Sequence, residues 1–119
     1  MKLMRADMGE VTAFVAATWA IAKLGLHINL SVVTLLTENM PSGKATKPGD
    51  IIGPMKGLTV EVDNTDAESR LVLADALTYV SRDFKPHTII DVATLAGAVL
   101  HAFGHVCSAA SVEDESLWQ

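Results

Sequence analysis

Asn64-Thr65-Asp66-Ala67-Glu68-Ser69-Arg70-Leu71 sets two carboxylates and a guanidinium within five residues, Asp66 to Arg70. The octet follows the β-prone run Leu58 to Val62 and precedes the apolar run Leu71 to Ser81. A strand-to-helix junction is therefore predicted here, the kind of place where α/β proteins put their chemistry. Two local geometries remain open. In extended backbone Asp66 and Glu68 project to the same side and can converge on one cation, with Arg70 nearby to hold an anion. Alternatively, Thr65 and Glu68 form a capping box as N-cap and N3, which makes Asp66 to Glu68 the first helical turn. There the two carboxylates lie about 200° apart around the axis and diverge.

Upstream of the octet, residues 1 to 8 read as an entry loop. From Gly9 to about Leu24 the positions Val11, Phe14, Val15, Thr18, Ile21 and Ala22 follow the spacing of a helix buried on one face. Lys23 suits its C-terminus and Gly25 its cap. Trp19 lies off the stripe. Ile28 to Thr37 is rich in β-branched residues and predicts a strand buried on both faces of a parallel sheet. Glu38 to Asp50 is a long loop with two prolines and two glycines. Ile51-Ile52, a Lys56-Gly57 turn and Leu58 to Val62 predict a β-hairpin, with Pro54 keeping the first arm at an edge.

Downstream, Leu73, Ala76, Leu77 and Val80 line one helical face, with Phe84 just beyond and Pro86 closing the connection. Thr88 to Ala93 predicts a second buried strand, Thr94 to Gly97 a turn, and Ala98 to Phe103 a further apolar segment. Residues 105 to 119 are polar and acidic. The alternation predicts an α/β fold with a mostly parallel sheet, helices on its faces and a β-hairpin. Asp7, Asp66, Glu68 and Thr94 all fall at loops or element ends and can share one sheet edge.

Composition narrows the classes. At 119 residues the chain is one domain by size, predicted to bury roughly two-thirds of its unfolded surface. Half the residues are hydrophobic and 19% are charged, which favours a packed core over disorder. The net charge of −5 argues against nucleic acid, which wants a basic face. A lone Cys107 excludes an internal disulfide and suits a reducing, cytoplasmic compartment. Lys2, Arg5 and the run Val11 to Ala22 imitate a signal peptide. Asp7 and Glu10 interrupt that pattern, and the run is too short to span a membrane.

The octet is one substitution from Asn-Thr-Asp-Ala-Glu-Gly-Arg-Leu, and in this it resembles the leucyl aminopeptidase (cytosol aminopeptidase) family. Further segments are similar to that family in order and spacing: Leu3-Met4-Arg5-Ala6-Asp7-Met8-Gly9, Glu38-Asn39-Met40-Pro41-Ser42-Gly43 with Lys47-Pro48-Gly49-Asp50, Leu73-Ala74-Asp75-Ala76-Leu77, and Ala93-Thr94-Leu95 with Gly97. The resemblance covers residues 1–119 and implies an incomplete C-terminal catalytic domain. It also implies release of N-terminal residues from peptides, a homo-oligomer (hexameric in the family) and two divalent metal ions, Mn, Zn or Mg. By resemblance Asp7 and Asp66 bind one metal each, Glu68 bridges, and Arg70 holds bicarbonate as a general base. Met4, Thr94, Leu95 and Gly97 line the substrate pocket.

Departures from the family pattern bear on activity. A metal-binding lysine, a second bridging aspartate and a lysine that contacts the substrate carbonyl lie upstream of the segment matching Leu3. Ser69 stands for a glycine next to the anion site, where a side chain crowds the anion or strains a positive φ. Glu10 and Ala96 replace a glycine and a threonine. The alternative to an active enzyme is therefore an inactive paralogue or fragment with a structural, subunit-joining role. Other candidates are weaker. Ser42-Gly43-Lys44 lacks the remaining phosphate-loop residues, His101 and His105 lack the zinc-protease glutamate, and Cys107 lacks a base partner.

Overall fold

The computed structural model describes residues 4–38 and 40–118. Leu3 and Asn39, which belong to two of the quoted motifs, and Lys2 lie outside the described residues. A 3-10 turn, Met4–Met8, leads into helix α1, Gly9–Leu24. The predicted stripe is present: Val11, Phe14, Thr18 and Ile21 are half-buried, whereas Val15 and Ala22 are exposed. Gly25 ends the helix at φ 64°, where a residue without Cβ is favoured. Its N–H bonds to Ala22 O, and the N–H of Leu26 bonds to Ile21 O, both at 3.2 Å. These two bonds make a Schellman cap. Trp19 is exposed, with Lys23 Nζ 5.9 Å from its ring centroid.

The hairpin is shorter than its sequence run. β1, Ile51–Ile52, pairs antiparallel with β2, Val60–Glu61, with Ile51 opposite Glu61 and Ile52 opposite Val60. Two bonds continue the pairing: Val62 N–H to Asp50 O at 2.8 Å, and Gly49 N–H to Val62 O at 2.7 Å. Gly49 takes φ 88°, and Lys47 closes the same corner with a 2.8 Å ion pair to Asp50. Helix α2, Ser69–Tyr79, runs into a π-helical turn, Val80–Phe84, which brings the rings of Tyr79 and Phe84 edge to face at 5.6 Å. The N–H of Met55 donates to Asp75 Oδ1 at 2.7 Å and so fixes the hairpin tip to α2. The apolar segment after Gly97 forms helix α3, Ala98–Phe103, an element beyond those the sequence predicts.

The mostly parallel sheet is the main correction. Among the described residues the sheet has two strands, both from the hairpin. Residues 28–37 and 88–93 form no strand and, among the described residues, take part in no backbone–backbone bond beyond Ile28 N–H to Leu26 O. β-branched composition favours extended backbone, but a strand also needs a hydrogen-bonded neighbour, and neither segment has one here. Several of their apolar side chains are exposed accordingly, Ile90 at 73% and Leu36 at 66%, while Val32, Val33 and Leu35 are half-buried.

Burial departs from expectation for the same reason. The chain exposes 10118 Å², against about 6,200 Å² for a compact monomer of 12.6 kDa. It therefore buries roughly 45% of its unfolded surface, not two-thirds. The radius of gyration is 16.4 Å, against about 13.5 Å for a compact domain of this length. Only Val62 and Ala76 count as buried apolar residues among those described.

Candidate functional site

The octet settles into a turn and then a helix. Asn64 Oδ1 accepts from the N–H of Asp66 at 2.9 Å, and Ala67 N–H bonds to Asn64 O at 3.2 Å. This Asx turn carries Asp66 and Ala67 outside the helix, because asparagine offers the backbone a local partner. Glu68 is the N-cap residue and Ser69 the first helical residue. The capping box with Thr65 as N-cap therefore does not describe this terminus; the chain stays non-helical through Ala67, and no side chain caps the helix. Ser69 sits in α2 with ordinary helical backbone, since Lys85 is the one non-glycine residue of positive φ among those described. The positive φ that would have strained a side chain at Ser69 is not adopted.

A cavity of about 140 Å³ opens between the start of the chain, the octet and the turn after residue 93. Met4, Asp7, Asp66, Ala67, Ser69, Arg70, Thr94, Leu95 and Gly97 border it. Seven of the eight residues singled out in the sequence meet there, although they come from three segments separated by tens of residues. The eighth, Glu68, is not on the wall. It is half-buried, and its Oε2 is shielded from solvent with no hydrogen-bond partner among the described residues.

Each wall has a local origin. The 3-10 turn Met4–Met8 places Met4 and Asp7 ahead of α1. Ser69 and Arg70 form the first turn of α2. Gly97 is the N-cap of α3, with Leu100 N–H bonded to Gly97 O at 3.0 Å. The first and third walls are joined by side chains. Thr94 Oγ1 lies 2.6 Å from Asp7 Oδ1 and 3.0 Å from Glu10 Oε2. Glu10 is the residue that sequence reasoning missed: it drew notice only as a departure from a pattern, and nothing local signals a contact 84 residues away. The guanidinium of Arg70 and the carboxylate of Asp66 form no ion pair or hydrogen bond among the described residues.

The shifted carboxylates lie elsewhere. Asp50 is held below the ordinary carboxylate range, first by the Lys47 side-chain hydrogen bond and then by the Lys47 N–H. Asp83 is lowered by Arg82, and Asp114 by Ser116.

The site's donors suit a divalent metal in kind. Asp7, Asp66 and Glu68 offer hard oxygens, and a buried, unpartnered carboxylate oxygen is an atom that a cation satisfies. They do not suit it in number. Among the described residues no three His, Cys, Asp or Glu side chains gather at metal-binding spacing. The described residues thus offer an unclosed set of donors.

The sequence profile of the "Cytosol aminopeptidase family, catalytic domain" matches residues 1–119. The chain is 54% identical over 118 residues to a "Cytosol aminopeptidase" of Dictyostelium discoideum, covering 99% of this chain and 22% of that protein. It is 58% identical over 105 residues to a "Probable cytosol aminopeptidase" of Herminiimonas arsenicoxydans, covering 88% of this chain and 21% of that protein. A similarly named protein of Chlorobium limicola is 48% identical over 114 residues. The chain thus spans about a fifth of the length of these relatives. Among the described residues no helix is long and apolar enough to cross a membrane.

Proposed function

The chain belongs to the cytosol aminopeptidase family, and from that premise we propose that its cavity is part of the active site of a metal-dependent aminopeptidase acting on N-terminal residues of peptides. The observation that carries this proposal is the meeting of Asp7, Asp66, Arg70 and Thr94 on one cavity from three distant segments. A leucyl preference is proposed from the family resemblance, with Met4 and Leu95 as the larger apolar side chains that border the cavity.

The residues divide the work. Met4, Thr94, Leu95 and Gly97 receive the N-terminal side chain and the adjacent backbone. Asp7, Asp66 and Glu68 would hold divalent ions, together with ligands supplied from outside this chain. Bound ions of this kind polarise a carbonyl and lower the pKa of water. Arg70, which borders the cavity and makes no ion pair among the described residues, would hold an anion there, bicarbonate in this proposal. The exposed apolar segments 28–37 and 88–93 are proposed to pack against further polypeptide, including other subunits of a homo-oligomer. The name shared by the relatives supports a cytoplasmic setting.

The alternative is a catalytically inactive, structural role. The unclosed donor set and the large exposed apolar surface favour it. Leucyl-anilide hydrolysis by the purified protein, with added Mn²⁺ and Zn²⁺, separates the two. Turnover that D66N removes supports the enzyme; metal binding without turnover supports the structural role.

A further inference from the structure

We propose that Glu10 is a positioning residue that holds the Thr94–Gly97 wall of the cavity against the N-terminal end of α1. Thr94 Oγ1 has three oxygens within reach: Asp7 Oδ1 at 2.6 Å, Glu10 Oε2 at 3.0 Å and the Asp7 carbonyl at 3.4 Å. The two carboxylate contacts span 87 and 84 residues. Every other side-chain pair bonded among the described residues is three positions apart or fewer. The long-range polar fastening of this wall therefore runs through one hydroxyl.

A hydroxyl carries one proton and cannot serve two carboxylates equally. The 2.6 Å contact has the length of a charge-assisted O–H···O⁻ bond, so Asp7 takes most of the proton. Glu10 supplies the longer branch of a three-centre contact. It adds a second hold from the first turn of α1, a regular helix, whereas Asp7 stands on a short 3-10 turn. Glu10 does not border the cavity. Its influence on a bound molecule passes through Thr94, and through Thr94 to Leu95 and Gly97.

The test uses the full 119-residue chain with labelled threonine methyl groups, followed by NMR for wild type, E10A and E10Q. T94V assigns the Thr94 signal. Thr12 and Thr18 report on α1 itself, since their hydroxyls bond to Met8 O and Phe14 O within the helix region. In E10A the Thr94 methyl is expected to shift while Thr12 and Thr18 hold. E10Q keeps an acceptor oxygen and is expected to restore the wild-type position. Leucinamide, titrated into the same samples, is expected to bind about fivefold more weakly to E10A and within about twofold of wild type to E10Q.

An unmoved Thr94 signal in E10A overturns the proposal, as does a wild-type signal at the unfolded position. So does movement of Thr12 and Thr18 together with Thr94, which marks general loosening. The ligand arm rests on the function proposed above. Failure of wild type to bind leucinamide, with the Thr94 response intact, overturns that function and leaves the positioning role supported.

Discussion

Thr94 Oγ1 stands 2.6 Å from Asp7 Oδ1, which ties the beginning of the chain to a loop 87 residues later. The cavity depends on this tie because the described residues supply little core to hold its walls together. Replacing Thr94 with valine keeps the shape and removes the donor. T94V is expected to cost about 1 kcal/mol and to leave two carboxylates facing each other without a proton between them. Urea unfolding of the two proteins checks the cost. An unchanged midpoint would show that the tie contributes nothing in solution.

Of the two consequences expected of Ser69, crowding of an anion or strain at a positive φ, the second does not arise. The residue occupies the first position of α2 with ordinary helical backbone. Restoring glycine there should relieve nothing. S69G is expected to leave stability unchanged or lower it by up to about 1 kcal/mol, because glycine gains freedom in the unfolded chain. A rise in thermal midpoint for S69G would contradict this.

Asp75 holds the hairpin tip to α2 through the N–H of Met55. D75A should remove the only acceptor of that bond, while D75N keeps an oxygen in place. Hydrogen exchange at Met55 is expected to speed up roughly tenfold in D75A and to stay near wild type in D75N. Equal exchange in all three proteins would place the tip free of the helix.

Lys47 lowers the Asp50 carboxyl, mainly by its side-chain hydrogen bond. A group lowered on folding contributes stability that is fully present above its unfolded value, about 3.9 for aspartate, and lost as pH falls through its folded value. The corner at residues 47–50 is therefore expected to hold at neutral pH and loosen only below the ordinary carboxylate range. Carbon-detected NMR titration of Asp50 reads this directly. K47A should return the midpoint toward about 3.9.

The exposed segments make a prediction about association. Leu36 and Ile90 present apolar surface from chain that has no strand partner. Concentration-dependent self-association is expected in sedimentation velocity, reduced by the pair of changes L36K and I90K. A monomer at all concentrations would contradict it.

Local signals were legible in the sequence where local forces decide the structure. Helix α1 and its Gly25 cap follow from apolar spacing and one glycine. Element order put Asp7, Asp66 and Thr94 at one sheet edge, but the sheet among the described residues is only the hairpin, and Met4, Leu95 and Gly97 were legible through motif resemblance alone. Residues 28–37 and 88–93 show the opposite case. Their composition reports a preference for extended backbone, but a ladder is a property of two segments, and composition cannot supply the second. The link from Glu10 to Thr94 was invisible for the same reason: it exists only once the loop after residue 93 has returned to α1.

The most direct test of the cavity as a metal-and-substrate site is substoichiometric Mn²⁺ added to the ¹⁵N-labelled chain, followed by amide NMR. Paramagnetic broadening is expected first at Asp7 and at Asp66 through Ser69, and D66N should abolish it there. Broadening centred on the acidic tail at Glu113 to Glu115, or spread evenly along the chain, would contradict the assignment of this cavity.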